Sequence, residues 1–380
     1  MKKRDFSPVE FLSALGAGGI AVSNFALINY SLEHGKGLVT YAQTHSLASG
    51  FLLKIYSFLE VNMFVFASIH IILTVVLFKR LYDWLKASHH KKIINNTLAN
   101  SAIVAPFISA AMTMNVFIAA IRYFVPWLST NLQTLMLPAL VVWGAIWAFL
   151  IYVEIKLLKV SIISSFDTSK LNFGWLLQPF ALGMVTVTGA GIAAMAKSAF
   201  IANTAAFMVL VSGSMGLFLF FIKLLTVFKT YFSGEGKPPK EFLPSFLIVV
   251  PITTIYAIAF FRLGHFLDAH HGAHLETIVM LIMTAAFAFE TWYLLFGFAM
   301  MKNFLKEDFR REYHISQWGL VCPLVAYAVL GSFVYKLFFA HVSLFSLLVF
   351  NIGVVSILFF FLLIKQTKCY KLKIQGLICS

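Results

Sequence analysis

Few side chains in this sequence are suited to chemistry, and those that are stand inside or beside long apolar runs. Glu290, in FAFETWYLLF, is a carboxyl in the middle of such a run, and Glu60 and His70 stand in another. Charge in an apolar span is costly and is normally paired or functional. Two readings of Glu290 stand side by side: a proton-coupling carboxyl, or a protonated or hydrogen-bonded structural one. Glu154 lies near the end of its run, where water is expected to solvate it. The segment HFLDAHHGAH gathers His265, Asp268, His270, His271 and His274. Imidazoles and a carboxylate suit a transition metal in type, but no standard ligand spacing is present. The segment reads instead as a solvated vestibule that gains charge in acid, since histidine titrates in that range. No metal and no cofactor is assigned.

Enzyme chemistries find no foothold. The sequence has no Gly-rich phosphate loop followed by Lys-Ser/Thr, no HExxH and no GxSxG. A haem-carrying membrane cytochrome needs several mid-helix histidines, and only His70 qualifies. Three cysteines, Cys322, Cys369 and Cys379, supply no disulfide framework.

The basic side chains must be positioned by something, and the composition says what. Of 380 residues 60% are hydrophobic and 12% charged, whereas a soluble domain carries about a quarter charged residues. The chain is an all-α polytopic membrane protein. Ten spans are predicted, at 8–32, 51–79, 98–125, 132–156, 173–197, 202–230, 243–266, 273–303, 315–338 and 342–365, each long enough to cross about 30 Å of hydrocarbon. The formal net charge of +14 suggests a nucleic-acid partner, but the bases fall in short loops between spans. Lysine and arginine crowd the N-terminus (Lys2, Lys3, Arg4), every second loop and the tail, which places both termini in the cytoplasm with five hairpins pointing outward. The partners are then membrane lipid and no nucleic acid. The N-terminal run is too long for a signal peptide and lacks a small-x-small cleavage site, so it is taken as the first span. Residues 1–367 form one transmembrane domain, and 368–380 a short basic tail.

A repeat orders these spans. Pro106, Pro179, Pro251 and Pro323 stand in odd spans at intervals of 73, 72 and 72 residues. A proline inside a helix removes a backbone hydrogen bond and kinks it, so a period of about seventy residues implies a repeating pair of spans. Odd spans are rich in small residues, as in ALGAGGIAVS (14–23) and GMVTVTGAGIAAMA (183–196), and even spans are bulkier, as in LFLFFIKLL (217–225). Small side chains allow close helix approach or leave room along an axis. The odd spans hold no acidic residue in their interiors, Glu10 lying at the edge of the first, and four of them end in a base: Arg122, Lys197, Arg262 and Lys336. A path between odd helices would be neutral inside with positive mouths, a field that concentrates anions and repels cations.

Three stretches carry a resemblance: SPVEFLSALGAGGIA (7–21), KPPKEFLPSFLIVVP (237–251) and SQWGLVCP (316–323). They are similar to the first helix, the approach to helix seven and the ninth-helix pattern of the tellurite-resistance/dicarboxylate transporter family, which includes the plant slow-type anion channels. The resemblance covers about residues 7–365. It implies ten helices as five hairpins in quasi-fivefold arrangement, odd helices lining a central pore, and a homotrimer with one pore per protomer. The family's gate is a phenylalanine directly before the ninth-helix Pro or Gly. Here that position is Cys322, and the same pre-proline position in the other repeats is Ala105, Gln178 and Val250. The expected constriction is therefore small and partly polar, with Gln178 able to donate to an anion. Phe107 and Phe180 follow their prolines; one residue turns a side chain about 100°, so they are not assigned to the gate. Two functions remain open: a passive channel or facilitator of the inner membrane for small inorganic or carboxylate anions, and a proton-coupled transporter of C4-dicarboxylates, sulfite or tellurite-type oxyanions through Glu290. A sensor whose histidine loop binds metal is the third and weakest.

Overall fold

The structure is a computed structural model that describes residues 6–35, 37–87, 90–164, 166–234 and 239–374. Lys2, Lys3, Arg4, Lys237 and Cys379 lie outside the described residues. Among the described residues, ten helices are long and apolar enough to span a membrane: α1 Pro8–Ser31, α2 Gly50–Lys86, α3 Asn100–Phe124, α4 Leu132–Ile163, α5 Phe173–Met195, α6 Ala199–Phe232, α7 Lys240–His271, α8 Glu276–Met300, α9 Ile315–Leu337 and α10 Val342–Tyr370. They match the predicted spans, except that several even helices run one or two turns further at their polar ends.

The texture of each helix decides its layer. The apolar windows of α1, α3, α5, α7 and α9 are 94, 44, 100, 67 and 67% buried, against 33, 22, 39, 22 and 39% for the even helices. The odd helices are thus the inner set, and α3 is the most exposed of them. They touch in sequence order, α1 on α3, α3 on α5, α5 on α7 and α7 on α9, and α9 closes the ring on α1. Each odd helix also packs on the even helix that follows it, most extensively α1 on α2 and α5 on α6.

Small residues make these contacts possible. A Cβ at Gly18 would meet Met112 and the His70 imidazole, one at Gly19 would strike Val325, and one at Gly189 would strike the Trp143 indole. Trp143 in turn donates from Nε1 to the Val185 carbonyl at 2.9 Å, tying α4 to α5. His70 needs no haem to explain it: its Nδ1 lies 2.7 Å from the Ala14 carbonyl and its Nε2 2.9 Å from Thr113 Oγ1, linking α2 to α1 and α3.

The repeated prolines do not break helix interiors. Each follows a 3-10 segment, Asn100–Val104, Phe173–Leu176, Lys240–Ile248 or Ile315–Leu320. The α-helical part then begins, with Pro106 at its second position and Pro179, Pro251 and Pro323 at its third. First-turn N–H groups have no intrahelical acceptor, so a proline costs little there and its fixed φ favours the start of the helix. The period marks a 3-10-to-α junction rather than a kink.

Replacing Gly189 with alanine forces Trp143 off its seat. We expect a loss of about 1–3 kcal/mol, seen as a lower thermal midpoint of the detergent-solubilised protein, while the same change at Gly353, which faces open space, leaves the midpoint unmoved.

Candidate functional site

Because the odd helices run parallel, residues that recur every three or four positions along each of them face the axis of the ring. Those residues enclose a cavity of about 720 Å³. Its wall takes Leu15 to Tyr30 from α1, Met112, Asn115, Ile118 and Ala119 from α3, Phe180 to Met195 from α5, Pro251 to Ala269 from α7 and Cys322 to Phe333 from α9, with Gly37 and Leu38 from the α1–α2 connection. Among the described residues, none from an even helix contributes. One end, near the helix starts, is formed by Leu15, Gly16, Phe180, Pro251 and Cys322. The other end carries Tyr30, Arg262, His265, Asp268 and Phe333.

The pre-proline residues do not form a ring around this space. Cys322 lines it, but Ala105, Gln178 and Val250 are buried elsewhere. The cavity face of α5 is Phe180, Met184, Val187 and Gly191; that of α9 is Cys322, Val325, Val329 and Phe333; that of α7 includes Pro251, Ile255, Ile258 and Arg262. The residue that meets the axis is therefore the one after the proline in α5, the proline itself in α7 and the one before it in α9. Each helix is turned about its own axis, so one shared register fails, and Phe180 projects into the cavity where the sequence assigned it no place. Phe107 instead meets, edge to face, Phe149, a side chain of α4 that is largely exposed. Ala105 lies two turns before Met112, packed with Phe11, Ala14 and Leu77.

Gln178 has another role. Its Nε2 donates to Glu154 Oε2 at 2.7 Å, and its Oε1 accepts from the Lys223 ammonium. Glu154 is fully buried rather than solvated, because α4 leans on α5 at this level. Lys223 also donates to the Trp175 carbonyl at 3.2 Å and lies 4.3 Å from the centre of the Trp175 ring. That carbonyl is four residues before Pro179, the residue that has no N–H to offer it; Ser101 Oγ donates to it as well, at 3.3 Å. Lys223 sits inside LFLFFIKLL, and a lysine in an apolar run was the signal that could have exposed this cluster.

The four span-ending bases separate. Arg262 alone lines the cavity, its Nη1 donating to the Val187 carbonyl at 2.6 Å. Arg122 is buried beside it but spent: Nε reaches the Ile118 carbonyl at 2.8 Å, Nη2 the Val39 carbonyl at 2.8 Å and Nη1 Ser129 Oγ at 3.0 Å. It clamps the α1–α2 connection rather than opening a mouth. Lys197 and Lys336 are exposed.

Glu10, Glu60 and Glu290 are each held by a partner. Glu10 pairs with Arg80 of α2, and Glu60 lies 3.0 Å from His45 Nε2 and accepts from the Tyr123 hydroxyl. Glu290 is fully buried on α8, and its Oε1 accepts from Thr254 Oγ1, a residue of the cavity wall. Its other oxygen, Oε2, has no partner among the described residues. The histidine segment is the last two turns of α7, closed by Gly272 in the left-handed conformation. The helix spreads its side chains: His265 and Asp268 line the cavity, His270 meets the Ala196 carbonyl at 3.1 Å, and His271 packs on Phe266.

With five inner helices, a cavity walled by all of them and Arg262 in that wall, the molecule has the form of a membrane channel or transporter. The family described as SLAC1, voltage-dependent anion channel, matches residues 5–367, and the chain belongs to that family. Among curated proteins, none matches the sequence significantly.

Removing one member of a buried charged cluster leaves the other unpaired, at a cost of about 3–5 kcal/mol. Lys223→Met and Glu154→Leu should each lower the thermal midpoint sharply, and the double variant should recover much of the loss. Additive losses would show that the two groups do not interact.

Proposed function

We propose that the chain is a passive anion channel or facilitator, not an enzyme, that carries small inorganic or carboxylate anions along the axis of the odd helices. The observation that supports this most is the cavity itself, walled by all five odd helices, with Arg262 as the single lysine or arginine lining it among the described residues. A guanidinium in a mostly apolar wall favours anions over cations in a low-dielectric space. The constriction is assigned to the helix-start end, where Leu15, Phe180, Pro251 and Cys322 line the cavity, with Phe180 taking the place of the aromatic that is missing before Pro323. The distribution of lysine and arginine supports an inner (plasma) membrane location with both termini cytoplasmic, and the family supports a trimer of separate pores.

A second reading has its own observation. Thr254 belongs to the cavity wall and hydrogen-bonds Glu290, whose second oxygen is free among the described residues. A carboxyl one hydrogen bond from the path suits proton-coupled transport of C4-dicarboxylates, sulfite or tellurite-type oxyanions.

The test is electrical. In planar bilayers under a salt gradient the reversal potential should follow the anion. Phe180→Ala should raise conductance about tenfold and Cys322→Phe should lower it about as much, a change of about 1.4 kcal/mol in barrier. A cation-following reversal potential contradicts the reading. Glu290→Gln should leave these currents and their pH dependence unchanged; pH-driven uptake that disappears in this variant would establish the coupled transporter instead.

A further inference from the structure

The cavity is far larger than a halide or a nitrate needs. At about 720 Å³ it falls within the range of small-molecule pockets, about 300–1,000 Å³, and it has their composition: an apolar wall with a few convergent polar groups. The polar anchor is Arg262. Its guanidinium rests on Gly191 of α5, where an added Cβ would stand 3.0 Å from Nη1 and 3.4 Å from Cζ. Nη1 is committed to the Val187 carbonyl; no other hydrogen bond of this guanidinium is formed among the described residues. The edge made by Nε and Nη2 remains, and that planar fork matches the two oxygens of a carboxylate.

Away from Tyr30, His265 and Asp268, the wall beside the anchor is hydrocarbon. Val187, Ile255, Ile258, Phe261, Val329 and Phe333 line the same cavity, and the Phe261 and Phe333 rings meet edge to face at 4.9 Å. One guanidinium neutralises one negative charge. A second charge on the ligand would be left against this apolar wall, or against the Asp268 carboxylate, which lines the same end with His265.

We infer that this part of the cavity is a binding site for an apolar monocarboxylate, a short aliphatic acid with its carboxylate on Arg262 and its chain along the α7–α9 wall. The inference deepens the reading of the cavity as an anion path, because it makes the vestibule selective for amphiphilic acids, as cargo or as occupants that impede smaller ions.

Binding can be measured without conduction. The full chain in lipid nanodiscs is titrated calorimetrically with hexanoate, formate and adipate, with protein-free nanodiscs as the baseline for partitioning. Hexanoate should bind saturably, one per protomer. Formate, which lacks the chain, should bind about tenfold more weakly or worse, and adipate, with its second charge, should do likewise. Arg262→Gln should weaken hexanoate about tenfold or more, with part recovered by Arg262→Lys. Val329→Trp, which leaves the guanidinium in place and fills the apolar side, should weaken hexanoate but not formate; it keeps the test decisive if Arg262→Gln does not fold. Hexanoate heats equal to those of protein-free nanodiscs, or equal binding by wild type and both variants, overturn the inference even where chloride current is normal. Saturable hexanoate binding without any anion current upholds the site and removes the channel reading.

Discussion

In hydrocarbon no backbone carbonyl and no charge can be left for water to satisfy, and the arrangement of this molecule follows from how that constraint is met at the start of each inner helix. Four repeats place a proline there, and a proline withholds a donor. The 3-10 segment before each α-helical start absorbs most of the deficit by its tighter hydrogen bonding. At α5 the Trp175 carbonyl is served from neighbouring helices, by Lys223 and Ser101. Lys223 then requires a counter-charge, and Glu154, bridged through Gln178, supplies it. The cluster ties α4, α5 and α6 together at one level, immediately before Phe180 turns into the cavity.

The same constraint explains where polar groups are absent. Along the cavity wall the polar side chains satisfy themselves on their own or a neighbouring helix: Asn115 donates to the Ala111 carbonyl and to Thr188 Oγ1, and Thr254 engages Glu290. What faces the axis is therefore mostly apolar, with the Arg262 guanidinium against Gly191 and with His265 and Asp268 at the same end. Small residues serve two ends in this arrangement. Gly16 and Gly19 line the cavity and also seat Val321 and Val325 of α9, so close packing and open space are opposite sides of the same helix.

Much of this was legible in the sequence because it rests on length, polarity and period. The ten spans, the inner position of the odd helices and the repeating prolines each follow from counts along the chain. What could not be read is rotation. The step from Gln178 to Phe180 is two residues, about 200° of helical turn, and it separates a residue bound to Glu154 from one that faces the axis. A sequence register shared among repeats carries no information about how far each helix has turned. Burial of Glu154 was hidden for a related reason: its position near the end of an apolar run implied water, but the lean of α4 on α5 is tertiary. Lys223, by contrast, was visible as a lysine within an apolar run.

If the chain is the anion channel proposed above, the space between the odd helices is one path with a positive field. A side chain at the helix-start end of that space offers the sharpest probe. Cys322 lines the cavity, so small thiosulfonates applied to the side of the membrane that Arg262 faces should modify it and block current, and Cys322→Ser should be resistant. An anionic reagent should react about tenfold faster than a cationic one of the same size, because the Arg262 guanidinium lies on the way in. Equal rates, or faster modification by the cation, would contradict it.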